Sequence, residues 1–200
     1  MPPRPFTKPP NANVLDLFIR LDFVLAVLLL VASPLGLLVA AVRRPMLRQH
    51  LLAYWRASSL LMITVYLMMD GRPVAFVAGN AALVLIPLAL WGGDALFPAR
   101  QYRLDGDPVA AWFRRWRVAA VLFCGASLLL TIPTLRCVWA EAGVDAMCEA
   151  WLAPPRELHA ALHPTADPAA LGDGAMIGLA VYGVYLLVSA VVVGRHAARG

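Results

Sequence analysis

The chain has 200 residues, 61% of them hydrophobic and 14% charged, with a net charge of +5 and an isoelectric point near 9.6. An ordinary soluble domain holds roughly 45–50% apolar and about 25% charged residues, so the composition excludes a water-soluble globule and implies a bilayer as solvent. The surplus of cations needs no nucleic acid to explain it, because basic loops on one side of a membrane account for it.

In chain order, Met1 to Asn13 carries five prolines and little apolar pattern, which predicts an extended or disordered tail over residues 1–20. Apolar blocks follow at about 21–42, 51–69, 74–91, 118–135 and 175–193. Runs of about 18 or more such residues span roughly 30 Å of hydrocarbon as helix. The first block has Val31-Ala32-Ser33 where a signal peptidase could cut, but Pro34 follows and the run continues to Val42, longer than a signal core. Alternation suited to membrane strands is absent, and helices satisfy their own backbone where water is missing. The fold class is therefore all-α: an integral membrane bundle of about five transmembrane helices, one domain over 21–194, with a short tail at 195–200.

Five crossings put the termini on opposite faces. The segments 43–50, 92–117 and 194–200 hold ten Lys and Arg, against six in 1–20, 70–73 and 136–173. The larger count belongs inside, so the C-terminus is expected in the cytoplasm and the N-terminus outside. The loop 136–174 then faces an oxidising compartment, and its Cys137 and Cys148 are a candidate disulfide. Closing so short a loop restricts the unfolded chain by about 3 kcal/mol in the entropy account. Cys124, inside the fourth block, reads as a packing residue.

The second block carries a charge near its start, Arg56. Arg56, Ser59, Ile63, Tyr66 and Asp70 recur at helical spacing and form one stripe, mostly polar, which should face another helix or a wet cavity and not lipid. Expected partners are Asn80 on the third helix and the Tyr182, Tyr185 and Ser189 stripe on the fifth. Arg56 either snorkels to the headgroups or pairs with Asp94, and at the other face Asp22 could meet Arg72. Trp112, Phe113 and Trp116 share one helical face while Arg114 and Arg115 point away and Arg117 follows. That pattern predicts rings and cations at the lipid interface, either as a surface helix or as the aromatic, basic flank of a span.

In the outer loop His159 and His163 stand one turn apart, with Glu157 and Asp167 as possible oxygen donors to a metal. H-E-x-x-H is absent, no phosphate-cradling glycine loop occurs, and no nucleophile stands with a base, so the chain points to no cofactor and no reaction.

The stretches Leu21 to Val27, Tyr54 to Leu67, Leu85 to Trp91 and Trp151 to Pro155 resemble an uncharacterised multi-pass membrane family, a domain of unknown function, found in cyanobacteria and plastids. The resemblance implies a photosynthetic-organism membrane protein, in a plasma or thylakoid membrane, and supplies no catalytic residues. Three functions are open on these grounds. The first is an assembly, scaffold or regulatory subunit whose partners are membrane lipids and other membrane proteins or further copies of itself. The second is a small transporter or channel component with the Arg56 stripe lining a path, and the third a redox or metal-handling enzyme using the outer cysteines and histidines.

Overall fold

A computed structural model describes residues 10–96, 107–139 and 145–197 and, within these, all side chains except those of residues 10–13, 46, 92–96, 190 and 192–197. Among the described residues there is no strand. Helix α1 (Pro10–Ala26) passes through a π-helical segment (Val27–Ala32) into α2 (Ser33–Ala40), and α3 (Pro45–Met69) and α4 (Val74–Leu96) follow. Next come α5 (Pro108–Thr131) with a 3-10 extension (Ile132–Val138), the shorter α6 (Ala146–Leu162), and α7 (Pro168–Ala197). Five stretches, Val14–Ala40, Leu47–Met69, Val74–Trp91, Pro108–Val138 and Pro168–Ser189, are long and apolar enough to cross a membrane. The fold is thus the all-α, five-span class that the composition implies.

Several helices begin before their apolar blocks. Pro10 opens α1, so the Pro10–Arg20 part of the expected tail is helical, while residues 1–9 lie outside the described residues. The start of α5 shows how these turns form: the Asp107 carboxylate accepts from the Val109 N–H at 3.0 Å, and Pro108 follows it. Asp167 does the same for Ala169 at 3.1 Å ahead of Pro168, and Asp145 caps α6 through Met147 at 2.9 Å. An acidic cap satisfies an N–H that has no helical partner, and proline in the first turn has no N–H to lose. Gly71, at φ 73°, ends α3: its N–H reaches the Met68 carbonyl at 3.0 Å and the Arg72 N–H reaches Leu67 at 2.9 Å. Only a residue without a Cβ adopts that left-handed step freely, and the tight turn lays α3 and α4 side by side.

α3 packs between α4 and α7, α5 covers the other side of α4, and α2 rests on α5 and α3. One buried cluster joins Leu30, Leu37, Tyr54, Ile86, Trp116 and Cys124, and another joins Leu60, Leu67, Ala78 and Tyr182. Outward faces are apolar too: Leu129 is 75% and Leu187 70% exposed. Hydrocarbon tolerates such surfaces where water does not.

Charges gather at the two ends. At one end Arg20 forks onto Glu157 at 2.6 and 2.7 Å, and Arg72 bridges Asp70 and Asp173 at 2.5 and 2.6 Å. α6 lies across this end, with Cys148 and Leu152 packed on Phe76 and Cys137. At the opposite end Arg44 forks onto Asp107 at 2.6 and 2.9 Å. These two sets come from the two groups of segments that five alternating crossings separate.

Candidate functional site

The first span contains an irregularity that hydropathy does not reveal. Over Val27–Ala32 the helix widens to π geometry, and three successive carbonyls take side-chain donors. Leu28 O accepts from Ser33 Oγ at 2.9 Å, Leu29 O from the Trp116 indole N–H at 2.8 Å, and Leu30 O from the Tyr54 hydroxyl. Tyr54 and Trp116 are buried and meet edge to face, centroids 5.0 Å apart at 85°. A π turn is rare and clusters at functional sites. Here two rings, one from α3 and one from α5, hold it in place.

Above this turn, α1, α3, α4 and α5 surround a partly open cavity of about 280 Å³, and Trp151, Pro154, Leu158 and Leu162 of α6 form its roof. Its walls are almost wholly apolar, with Val27, Val31, Leu61, Leu83 and Phe123 among them. The polar exception is a chain of groups from three helices. Ser127 Oγ donates to Asp22, Thr131 Oγ1 lies 3.0 Å from Asn80 Oδ1, and Thr134 Oγ1 donates to Thr131 O at 2.6 Å.

Counting protons shows what this chain lacks. The Asn80 amide spends its N–H groups on Phe76 O at 2.8 Å and Thr131 O at 3.4 Å. Thr131 has one hydroxyl proton for two acceptors at nearly equal reach, Ser127 O at 2.9 Å and Asn80 Oδ1 at 3.0 Å. Asp22 uses one oxygen on Ser127, and its other oxygen has no further partner among the described residues. Acceptors therefore outnumber donors. The Trp151 indole N–H is buried away from the cavity space without a hydrogen-bond partner among the described residues, as is that of Trp55. A carboxyl within a spanning segment is costly to place, and such groups face bundle interiors or ligand paths.

The residues singled out from sequence are distributed as follows. Asp22 does not meet Arg72: it turns inward to Ser127, while Arg72 is taken by Asp70 and Asp173. Arg56 is exposed with no partner among the described residues, and the Asp94 side chain expected to pair with it lies outside them. The helix face below Arg56 packs on α7 and on the end of α6. Tyr182 OH reaches Ala57 O at 3.4 Å, Ile63 lies against Gly178, Tyr66 OH is 3.3 Å from His163 Nε2, and Asp70 abuts Gly172. Ser59 bonds only within its own helix, to Arg56 O at 2.8 Å. Asn80, an expected partner of that stripe, faces α5 instead, because it stands on the other side of α4.

Trp116 and Phe113, expected at the lipid interface, are core residues at 3% and 8% exposure. Their face turns inward because the Trp116 N–H has a carbonyl to satisfy on the first span. Trp112 remains half-exposed beside Gly36, Arg114 and Arg115 are exposed, and Arg117 is partly covered. Cys137 and Cys148 are joined in a disulfide with Cα atoms 5.8 Å apart, tying α6 to the 3-10 extension of α5, and Cys124 is buried and free. His159 and His163 stand with ring centroids 6.5 Å apart, but His159 Nε2 is engaged with Ala166 O at 3.1 Å and His163 with Tyr66. Glu157 is held by Arg20 and Asp167 caps α7. The Arg20 hydrogen bonds keep the Glu157 carboxyl below its usual range, as the Arg44 guanidinium does for Asp107 at the other end.

Tyr54 was not legible as a site residue from sequence, and neither were Ser127, Thr131 and Thr134 of the polar chain. The available signal was a hydroxyl inside an apolar block, of Tyr54 in the second and of Ser127 and Thr131 in the fourth, since a buried hydroxyl needs an acceptor.

No curated protein and no solved structure matches the chain. A family model described as a protein of unknown function, DUF3177, matches residues 16–198, and the chain belongs to that family.

Proposed function

We propose that the protein works by binding within the membrane and not by catalysis: it is a small component, in the manner of an assembly or regulatory subunit, whose cavity takes a lipid-soluble molecule from the bilayer. The observation that carries this reading is the cavity itself. An apolar cavity of roughly 150 Å³ is enough to bind benzene, and this one, at about 280 Å³, is partly open at the level of the spanning helices. The polar groups cluster near the α6 end and the apolar wall continues deeper, which suits a molecule with one polar head. The transporter reading draws on no comparable observation, since Ile63 and Asp70 of the stripe meant to line its path pack on α7 and Tyr66 meets His163. For orientation we take the face with fewer cations, where α6 lies, as extracytoplasmic, in a bacterial plasma or thylakoid membrane.

Native mass spectrometry of protein taken from its own membrane in mild detergent tests the reading. The parent should retain an apolar small molecule, and Val31→Trp and Ala26→Phe, which fill the cavity, should lose it while keeping the parent's helix content. No retained molecule in the parent, or equal retention in both filled variants, refutes it.

A further inference from the structure

The two ends of the bundle use their cations differently. From that difference, and independently of what the cavity holds, we infer that the end opposite α6 is a docking face for lipids with anionic headgroups. At the α6 end each described arginine is spent on carboxylates of the chain itself. Arg20 holds Asp16 and Glu157, Arg72 holds Asp70 and Asp173, Arg136 holds Asp145, and Arg156 holds Glu149. At the opposite end Arg44 is spent on Asp107. Around that clasp Arg43, Arg48, Arg56, Arg114 and Arg115 are exposed and have no partner among the described residues. One end is thus neutralised from within, and the other presents cations whose counter-charge has to come from outside the chain.

What lies beside those cations decides between a lipid and an acidic protein. On α3 the exposed Leu52 stands one turn from Arg48 and one from Arg56, and on α5 the exposed Val118 follows Arg114 by one turn and Leu122 follows Arg115 by two. Arg43 follows Val39, 74% exposed, past the end of α2. Residues one or two turns apart share a helix face, so these rows run from guanidinium to apolar surface. A soluble acidic partner would neutralise the cations and leave the apolar side chains against water. An anionic lipid meets both needs with one molecule, headgroup on the cation and acyl chain along the row. The heights agree. From Arg115 to Arg136, α5 and its 3-10 extension rise about 34 Å at 1.5 and 2.0 Å per residue, a little more than the roughly 30 Å of a hydrocarbon core. Both arginines therefore stand at headgroup level. Arg56 lies about 12 Å along α3 beyond Arg48, so it meets a headgroup by snorkelling.

In the test, delipidated full-length protein in mild detergent is titrated with phosphatidylglycerol and with phosphatidylcholine of the same acyl chains, and binding is read by native mass spectrometry. A cation near an anionic surface is worth about fivefold in affinity, so phosphatidylglycerol should bind about tenfold tighter or better, and the preference should shrink as added salt screens it. Arg48→Gln with Arg56→Gln, and Arg114→Gln with Arg115→Gln, should each cut the preference about fivefold or more, with phosphatidylcholine binding and helix content unchanged. Lysine at the same positions should keep most of it. Arg136→Gln, where the guanidinium is already held by Asp145, should leave it intact. Equal binding of the two lipids overturns the inference. A loss in Arg136→Gln as large as in the two pairs also overturns it, because net charge and not this face would then be the cause. An acidic protein that leaves the native membrane with the parent and is lost from both Gln pairs, with no lipid preference in the purified chain, reassigns the face to that protein. None of the replaced residues lines the cavity, so the cavity reading stands or falls separately.

Discussion

Replacing Tyr54 with Phe removes one oxygen atom and leaves the ring where it is, so it isolates the hydrogen bond that holds the π turn of the first span. Tyr54 is 0% exposed and its hydroxyl donates to Leu30 O. No water can take its place at that depth, and the carbonyl is left short of a donor. Hydrogen bonds between spanning helices average about 0.6 kcal/mol and reach about 1.7, while a buried partner left unsatisfied costs about 1–3 kcal/mol. A fully buried bond on an irregular turn belongs at the overlap of those ranges, so the expected loss is about 1–2 kcal/mol. Trp116→Phe removes the neighbouring bond to Leu29 O and also leaves a gap where the larger ring was. Both bonds act on the same turn, so the double variant should depart from additivity by about 0.5 kcal/mol or more. Reversible unfolding in mixed micelles of rising denaturing-detergent fraction measures each value. Because Val27 and Val31 belong both to the π turn and to the cavity wall, retention of the bound molecule should fall in parallel. A Tyr54→Phe protein within about 0.5 kcal/mol of the parent, with strict additivity to Trp116→Phe, would refute the assignment of these rings as fasteners of the turn.

Other consequences follow from the α6 end. Reducing the disulfide, or Cys137→Ala with Cys148→Ala, opens a loop of sequence separation 11 and should cost about 3 kcal/mol by loop entropy, with protease cleavage appearing in α6 before the spans. Gly172→Ala should displace Asp70, since a Cβ there would overlap its carboxylate; overpacking of this kind costs about 1–3 kcal/mol, whereas Gly174→Ala, inside α7 with open space beside it, should be neutral or gain up to about 1 kcal/mol of helix propensity by the same unfolding assay. The Arg20 clasp lowers the Glu157 carboxyl, so its stabilisation is present above the unfolded value of about 4.3 and is lost as the pH falls through the lower folded value. Thermal midpoints between pH 6 and pH 3 should therefore fall less steeply in Glu157→Gln than in the parent, and an unchanged slope would count against the clasp.

The five spans were legible because each apolar block exceeds what a soluble core helix needs, and because hydrophobic length is a property of the chain alone. Their starts were less so. Hydropathy marks where a helix enters hydrocarbon and not where its first turn forms, yet Asp107-Pro108 and Asp167-Pro168 were readable as cap and first turn. In the same way the prolines before residue 13 suggested a tail although Pro10 suits a helix start. The site was mostly illegible. A short turn tells that α3 and α4 are neighbours but not which of their faces meets α5, so Asn80 was assigned to the wrong partner and Asp22 to Arg72. The Trp112 to Arg117 pattern told of an amphipathic face without telling that the ring face turns inward. Nothing in Val27-Leu-Leu-Leu-Val-Ala32 distinguishes a π turn from an α turn, because the widening is imposed by donors on other helices.

The most direct measurement is a density map of the full-length protein in lipid nanodiscs made from its native membrane. Elongated non-protein density is expected between α1 and α5, beneath α6, with its polar end within hydrogen-bonding distance of Asp22. A cavity closed by α1 resting on α5, or one holding only solvent, would contradict it.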